Sequence, residues 1–210
     1  MPTATFFRLP EEKRQRLMEA CWAELTRVRF TDVSINRIIL AAHIPRGSFY
    51  QYFEDKEDLI RFFLGAIRDY FINSLRSVLT EGKGDLFALP QGAFDRFLCR
   101  EGEPDATLTR LVQILRMNPG FDPHNFLSDC PGELPDPLWE AVDTRFLREP
   151  DREFAEHVFF LCISILAHAV MVTLLDPDQR NLQRKILWKR IEIIRSGCAA
   201  EMRQCMEVTI

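Results

Sequence analysis

The 210-residue chain is short of most local signatures of chemistry. Its glycines (9) and prolines (12) are too few for a collagen-like or linker-like polymer. Strand signals are nearly absent, which removes the sandwich and barrel classes. None of the six cysteines forms a C-x-x-C pair, and the four histidines (His43, His124, His157, His168) make no H-E-x-x-H or other close ligand spacing. Cys130 and His124 share one loop, but two candidate ligands do not make a metal site. Gly82-Lys83-Gly84 lacks the spacing of a phosphate loop. Neither a nucleophile elbow nor a pair of carboxylates stands out from ordinary helix surface. No catalytic residue, metal or cofactor is therefore expected. A net charge of −4 excludes a polycation. Thr3–Arg8 is too short and too mixed for a leader segment.

What is present suits a soluble folded protein of one or two domains: 47% hydrophobic and 28% charged residues. A chain of this length buries a core without metal or disulfide staples. Cys21, Cys99, Cys130, Cys162, Cys198 and Cys205 read as free thiols in a reducing, cytoplasmic setting. Cys198 and Cys205 lie on one helix face, but two turns apart. Charge is uneven. Residues 1–53 hold eight Lys/Arg against five acids, a balance of +3 that leaves −7 for the rest. A basic head on an acidic body fits a head that meets an anion such as DNA.

One run of 18 uncharged residues, 158–175, reaches the lower limit for a membrane span. It carries Ser164, His168 and Thr173 and ends at Asp176. It reads as a helix packed by protein in an interior or interface, with no membrane as partner.

Helical periodicity dominates, so the class is all-α, with about nine helices. Pro10, Glu11 and Glu12 open a helix over 10–28. Ser34 caps a short second helix with an apolar side of Ile35, Ile38, Ile39 and Ala42. Pro45 starts a third, with Phe49 and Phe53 inward and Arg46, Ser48, Tyr50 and Tyr52 outward. Asp55, with Asp58 three residues on, caps a fourth that runs to about Leu79. Two helices over 90–117 split near Gly102–Pro104. Residues 118–137, with five prolines, form an irregular loop that could rim a pocket. A helix begins at Pro137 or Leu138, and long helices cover 151–175 and 178–205.

The segment Ser34–Phe53 has the logic of a helix-turn-helix. Two short helices share a core of Ile35, Ile38, Ile39, Ile44, Phe49 and Phe53. The second exposes Gly47 and Ser48 at its first turn, where another backbone can approach, with Arg46 and Tyr50 as donors. Such a helix can lie in a major groove.

Thr31-Asp32-Val33-Ser34-Ile35-Asn36-Arg37-Ile38, followed by Ile44-Pro45-Arg46-Gly47-Ser48-Phe49-Tyr50-Gln51-Tyr52-Phe53 and Glu54-Asp55-Lys56-Glu57-Asp58-Leu59, closely resembles the DNA-binding signature of the tetracycline-repressor-like (TetR) family of regulators. The likeness covers about residues 9–60. It implies a DNA-binding domain at 1–55 and an effector-binding and dimerisation domain at 56–210. It further implies a homodimer on a palindromic double-stranded operator and a small-molecule effector, here at least partly apolar. By position, the DNA-binding residues are Ser34, Asn36, Arg46, Gly47, Ser48, Tyr50, Tyr52 and Lys56. In the family's pattern the last two long helices pair across the dimer. Phe62, Phe63, Phe97, Phe121, Phe126 and Trp139 are the candidate effector-pocket residues. Two positions depart from the family's pattern: Arg29 and His43 stand where glycine is usual, which raises the question of a left-handed backbone at each. The competing reading is an all-helical enzyme or small-molecule carrier without DNA binding.

Overall fold

A computed structural model describes residues 2–98, 104–119 and 133–200. Among them lie ten α-helices and no strand: α1 (Ala4–Phe7), α2 (Glu11–Leu25), α3 (Ile35–Ala41), α4 (Arg46–Tyr52), α5 (Lys56–Glu81), α6 (Leu89–Leu98), α7 (Ala106–Met117), α8 (Asp136–Trp139), α9 (Arg152–Leu175) and α10 (Arg180–Cys198). The fold is all-α.

The helix starts follow the capping chemistry. Ser34 Oγ accepts the Arg37 N–H at 3.4 Å, Asp105 Oδ1 that of Leu108 at 2.8 Å and Asp151 Oδ1 that of Phe154 at 2.8 Å. At the head of α5, Asp55 Oδ1 accepts the Asp58 N–H at 2.7 Å, and Asp58 reaches back to the Glu54 N–H at 3.3 Å. Three expectations need correction. α1 has no periodic signature in its four residues and was not expected. The helix expected from Pro137 is the single turn α8. α10 ends at Cys198, where Ala199 becomes extended, and not at 205. Residues 201–210 and most of the proline-rich loop lie outside the described residues, as do Cys99, His124, Cys130 and Cys205.

The chain divides into two compact units, and the division falls inside α5, after Phe71. The first takes residues 1–71 together with 104–122. Its core holds Leu17, Cys21, Leu25, Ile38, Phe49, Phe53, Leu59 and Phe63, all nearly or fully buried. α7 is fastened to this unit by polar contacts. Asn118 accepts the Phe30 N–H at 2.9 Å and donates to the Ile114 carbonyl at 2.8 Å. The Tyr70 hydroxyl donates to Asp105, the N-cap of α7.

The second unit takes residues 72–103 and 123–210 and is built on α6, α9 and α10. Phe87, Phe94, Phe97, Leu138, Val158, Cys162, Leu187 and Ile191 are buried in it. Gly84 turns the chain at φ +80°, and a Cβ there would stand 2.5 Å from the Asp143 nitrogen, so only glycine fits. Arg195 pairs with Asp85 at 2.7 Å, its guanidinium over the Phe87 ring. Arg184 grips Asp95 through two bonds of 2.7 Å.

α9 is long and apolar enough, by length and composition, to cross a membrane. Nine of its residues are instead buried against this unit. The opposite face, with His157, Phe160, Leu161, His168 and Leu175, is exposed in the single chain. α10 likewise exposes Leu182, Trp188 and Ile193.

Candidate nucleic-acid interface

The interface candidate lies in the first unit, where α3 and α4 meet through a four-residue turn. α3 buries Ile38 and Ile39, and α4 buries Phe49, Tyr52 and Phe53 at spacings of three and four. The turn closes with the Ile44 N–H on the Ile39 carbonyl at 3.0 Å and the His43 N–H on the Leu40 carbonyl at 3.2 Å. His43 is left-handed, at φ 54°. Histidine tolerates that region better than most residues, and the turn keeps its geometry without glycine. Arg29 sits at φ −66° in extended backbone, so the second departure carries no strain.

The face left outward on α4 is small at one end and donor-rich. Arg46, Gly47, Tyr50 and Gln51 are exposed and Ser48 is half-buried. Tyr50 is half-exposed and stands edge-on to Phe49, 5.4 Å between ring centres. A Cβ built on Gly47 meets no atom within 4 Å. The protein itself therefore makes no demand for glycine at this place, and the space above the backbone is open to an incoming molecule. Among the described residues Arg46 makes no ion pair, so its guanidinium is available.

Around this face, Asn36 is exposed on α3, and Ser34 is half-buried, its hydroxyl oxygen accepting the α3 cap bond, which still leaves the O–H as a donor. Lys56 Nζ donates to the Thr31 carbonyl at 3.0 Å, tying the start of α5 to the turn before α3, and lies 3.9 Å from the Glu57 carboxylate. Tyr52 departs from expectation. It is 8% exposed and packs against Phe6, so its ring belongs to the inner face with Phe49 and Phe53. The reason is helical spacing: position 52 follows 49 by three and precedes 53 by one, which places it on the core side.

Sequence reasoning missed Glu24. It is a 4% exposed carboxylate at the end of α2 that accepts the Ser34 N–H at 3.0 Å and pairs with Arg27 at 2.7 Å and Arg37 at 3.3 Å. It thereby joins α2 to the N-terminus of α3. The Glu24/Arg27 spacing of three was a visible signal; the bond to Ser34, ten residues on, was not.

Four of the six candidate pocket residues lie among the described residues, two in each unit. Phe62 and Phe63 are core packing of the first unit, Phe62 against Phe6 and Phe53 at 5.0 and 5.8 Å, and Phe63 against Trp22 at 4.6 Å. Phe97 is buried in the second unit, and Trp139 is half-buried there under the Arg152 guanidinium. Phe121 and Phe126 lie outside the described residues. Two open clefts of about 480 and 670 Å³ run between α6 and α10 in the second unit, sharing Gln91 and Trp188, and none of the six lines either. No group of three or more metal-ligating side chains occurs among the described residues.

Residues 17–61 match the family described as bacterial regulatory proteins, tetR family. The transcriptional regulator AcuR of Cereibacter sphaeroides is 34% identical over 68 residues, which are 32% of this chain and 31% of that protein's length. The chain thus matches about a third of that relative. Among solved structures, the fatty acid degradation regulator FadR from Bacillus halodurans has the same fold, with a TM-score of 0.50 at 14% identity over 90% of this chain and 97% of that one. A TetR family transcriptional regulator from Chloroflexus aurantiacus gives a TM-score of 0.48 at 23% identity, covering 95% and 99% of the two chains.

Proposed function

We propose that the chain is a DNA-binding transcription regulator of the tetR type, a ligand-responsive repressor that acts as a cytoplasmic homodimer on a palindromic operator; the match of residues 17–61 to the tetR family of bacterial regulatory proteins supports the reading. The observation that carries the reading is the outward face of α4, with exposed Arg46 and Tyr50 and open space over Gly47. A helix with this face enters a major groove with its first turn against base edges and backbone. Ser34, Asn36, Arg46, Gly47, Ser48, Tyr50 and Lys56 form the DNA-binding set in this proposal, and Tyr52 supports the helix from inside. Residues 1–55 form the DNA-binding domain in this reading, with Lys56 at its edge, and dimerisation and effector binding fall to residues 56–210.

Dimerisation is supported by the apolar side chains that α9 and α10 leave exposed, Leu161 and Leu175 on one and Leu182 and Ile193 on the other. Pairing these helices with their symmetry mates covers an apolar face without a membrane. An effector would be at least partly apolar and would act only through its differential affinity for the DNA-competent and incompetent states. No catalytic role is assigned.

Selection of bound fragments from the source genome, followed by gel shift, tests the central claim; a protein that retains no duplex under low salt refutes it. Sedimentation tests the dimer, with Leu161→Glu as the variant that dissociates it and a stable wild-type monomer at micromolar concentration as the refuting result. A thermal-shift screen followed by operator binding with each hit tests the effector; a ligand that saturates the protein and leaves operator affinity unchanged is not one.

A further inference from the structure

We propose that residues Thr3–Phe7 clamp the C-terminal end of α4 and so set its pose for DNA, with Thr3 and Phe6 as positioning residues. The proposal rests on the reading that α4 meets DNA. The clamp itself is outside the family-matched segment, which begins at residue 17.

α4 has seven residues, two turns, and a helix this short is not held by propensity. Its last carbonyls have no partner inside the helix. One residue from 48 positions earlier supplies two of them. The Thr3 hydroxyl donates to the Gln51 carbonyl, and the Thr3 N–H donates to the Tyr52 carbonyl at 3.0 Å. Thr3 is the N-cap residue of α1, yet its side chain makes no bond to its own helix. A threonine at a cap ordinarily turns its oxygen to the helix it begins; this one is spent on α4.

Phe6 supplies the second part. It is fully buried, with its ring 5.0 Å from Phe53, 5.0 Å from Phe62 and 6.4 Å from Tyr52. It therefore wedges the end of α4 against the first turns of α5. Phe7 lies outside it, more than half exposed, edge-on to Phe62. The clamp holds the end of α4 opposite to Arg46 and Gly47. Its two bonds go to backbone carbonyls of α4, and the Phe6 ring packs on Tyr52, Phe53 and Phe62, not on the side chains of Arg46, Ser48 or Tyr50, so it changes DNA binding by changing where α4 lies.

The test uses the full chain with Thr3→Val, which keeps shape and removes the hydroxyl, Phe6→Ala, which removes the wedge, and Phe6→Leu, which refills much of it. Two measurements are made well below each variant's unfolding midpoint: operator-fragment affinity, and amide hydrogen exchange at Phe49–Phe53 against α2 as internal reference. Thr3→Val should weaken DNA binding about three- to tenfold. Phe6→Ala should weaken it about tenfold or more, with faster exchange in α4 and unchanged exchange in α2, and Phe6→Leu should recover most of the loss. The slope of affinity against salt should stay as in the wild type, because no phosphate contact is removed. Wild-type affinity together with wild-type α4 exchange in Thr3→Val and in the folded Phe6 variants overturns the clamp. If Phe6→Ala does not fold, Thr3→Val and Phe6→Leu decide. If the wild-type protein binds no duplex, the functional reading fails by that result, and the exchange rates alone decide whether Thr3 and Phe6 hold α4.

Discussion

Arg110 and Glu19 stand 91 positions apart in the chain and meet through two N–H···O bonds, each 3.1 Å, with the guanidinium carbon 5.2 Å from the centre of the Trp22 ring. This fork lies between α7 and α2 and fastens a helix from the middle of the sequence onto the unit that carries α3 and α4. The pair is partly exposed, so its worth is modest. A double-mutant cycle with Arg110→Ala and Glu19→Gln should give a coupling of about 0.5–1 kcal/mol that shrinks in high salt. Arg110→Lys should recover less than half of it, since lysine lacks the planar fork. A coupling of zero at low salt contradicts the prediction.

Gly47 separates folding from binding. Nothing in the protein lies near its absent Cβ. Gly47→Ala should therefore leave the fold intact or stabilise it by about 0.5–1 kcal/mol, the usual preference of a helix for alanine. The same change should lower duplex affinity about tenfold or more, because the methyl occupies the approach space. Thermal unfolding and gel shift on one preparation check both signs. A fall in both stability and affinity would mean that the methyl disturbs α4 itself.

Tyr50→Phe and Lys56→Ala should weaken binding to all duplexes alike, by roughly 1–2 kcal/mol each, since backbone contacts position without specifying sequence. Lys56→Ala should also reduce the salt slope by about one. Because Lys56 donates to the Thr31 carbonyl, this variant alone should loosen the turn before α3. Faster amide exchange there, set against unchanged exchange in Tyr50→Phe, is the measurement.

Glu24 is expected to contribute more stability than an exposed acid of the same unit. Glu24→Ala leaves the Ser34 N–H without its acceptor and removes the partner of Arg27 and Arg37. A cost of about 2–3 kcal/mol is expected, the range for stranding a buried donor beside unpaired charge. Denaturant unfolding measures it. Glu12→Ala, at an exposed position of α2, serves as the control and should change stability by less than about 0.5 kcal/mol.

Burial pushes the Cys21 and Cys162 thiols up to about 12. At pH 8 neither holds an appreciable thiolate, which is the form that reacts. Native alkylation followed by mass mapping should leave both unlabelled while half-exposed Cys198 is modified. Raising the pH to 9 should not change this order, and unfolding should abolish it. Labelling of Cys21 at the rate of Cys198 in the folded protein would overturn the assignment.

The starts of α3, α5 and the helix at Asp151 were legible in the sequence because a cap acts across three residues. Ser34 and Arg37, or Asp55 and Asp58, meet whatever else the chain does. The outward set of Arg46, Gly47 and Tyr50 was legible for the same reason: helical spacing sorts the faces of α4 once Phe49 and Phe53 are known to be core. The same spacing turns Tyr52 inward, but its packing partner Phe6 lies 46 positions away in a four-residue helix too short for any periodic signal. Attachment of α7 needed Arg110 to find Glu19 and Asn118 to find the Phe30 N–H, pairings between ordinary polar residues that no spacing announces. The aromatics read as a pocket share this ambiguity, since Phe62 and Phe63 look alike in sequence whether they line a cavity or fill a core. Local sequence determined where helices begin and which side of each turns inward. Only the tertiary structure decided what each inward side meets, because those contacts join residues whose separation along the chain carries no pattern.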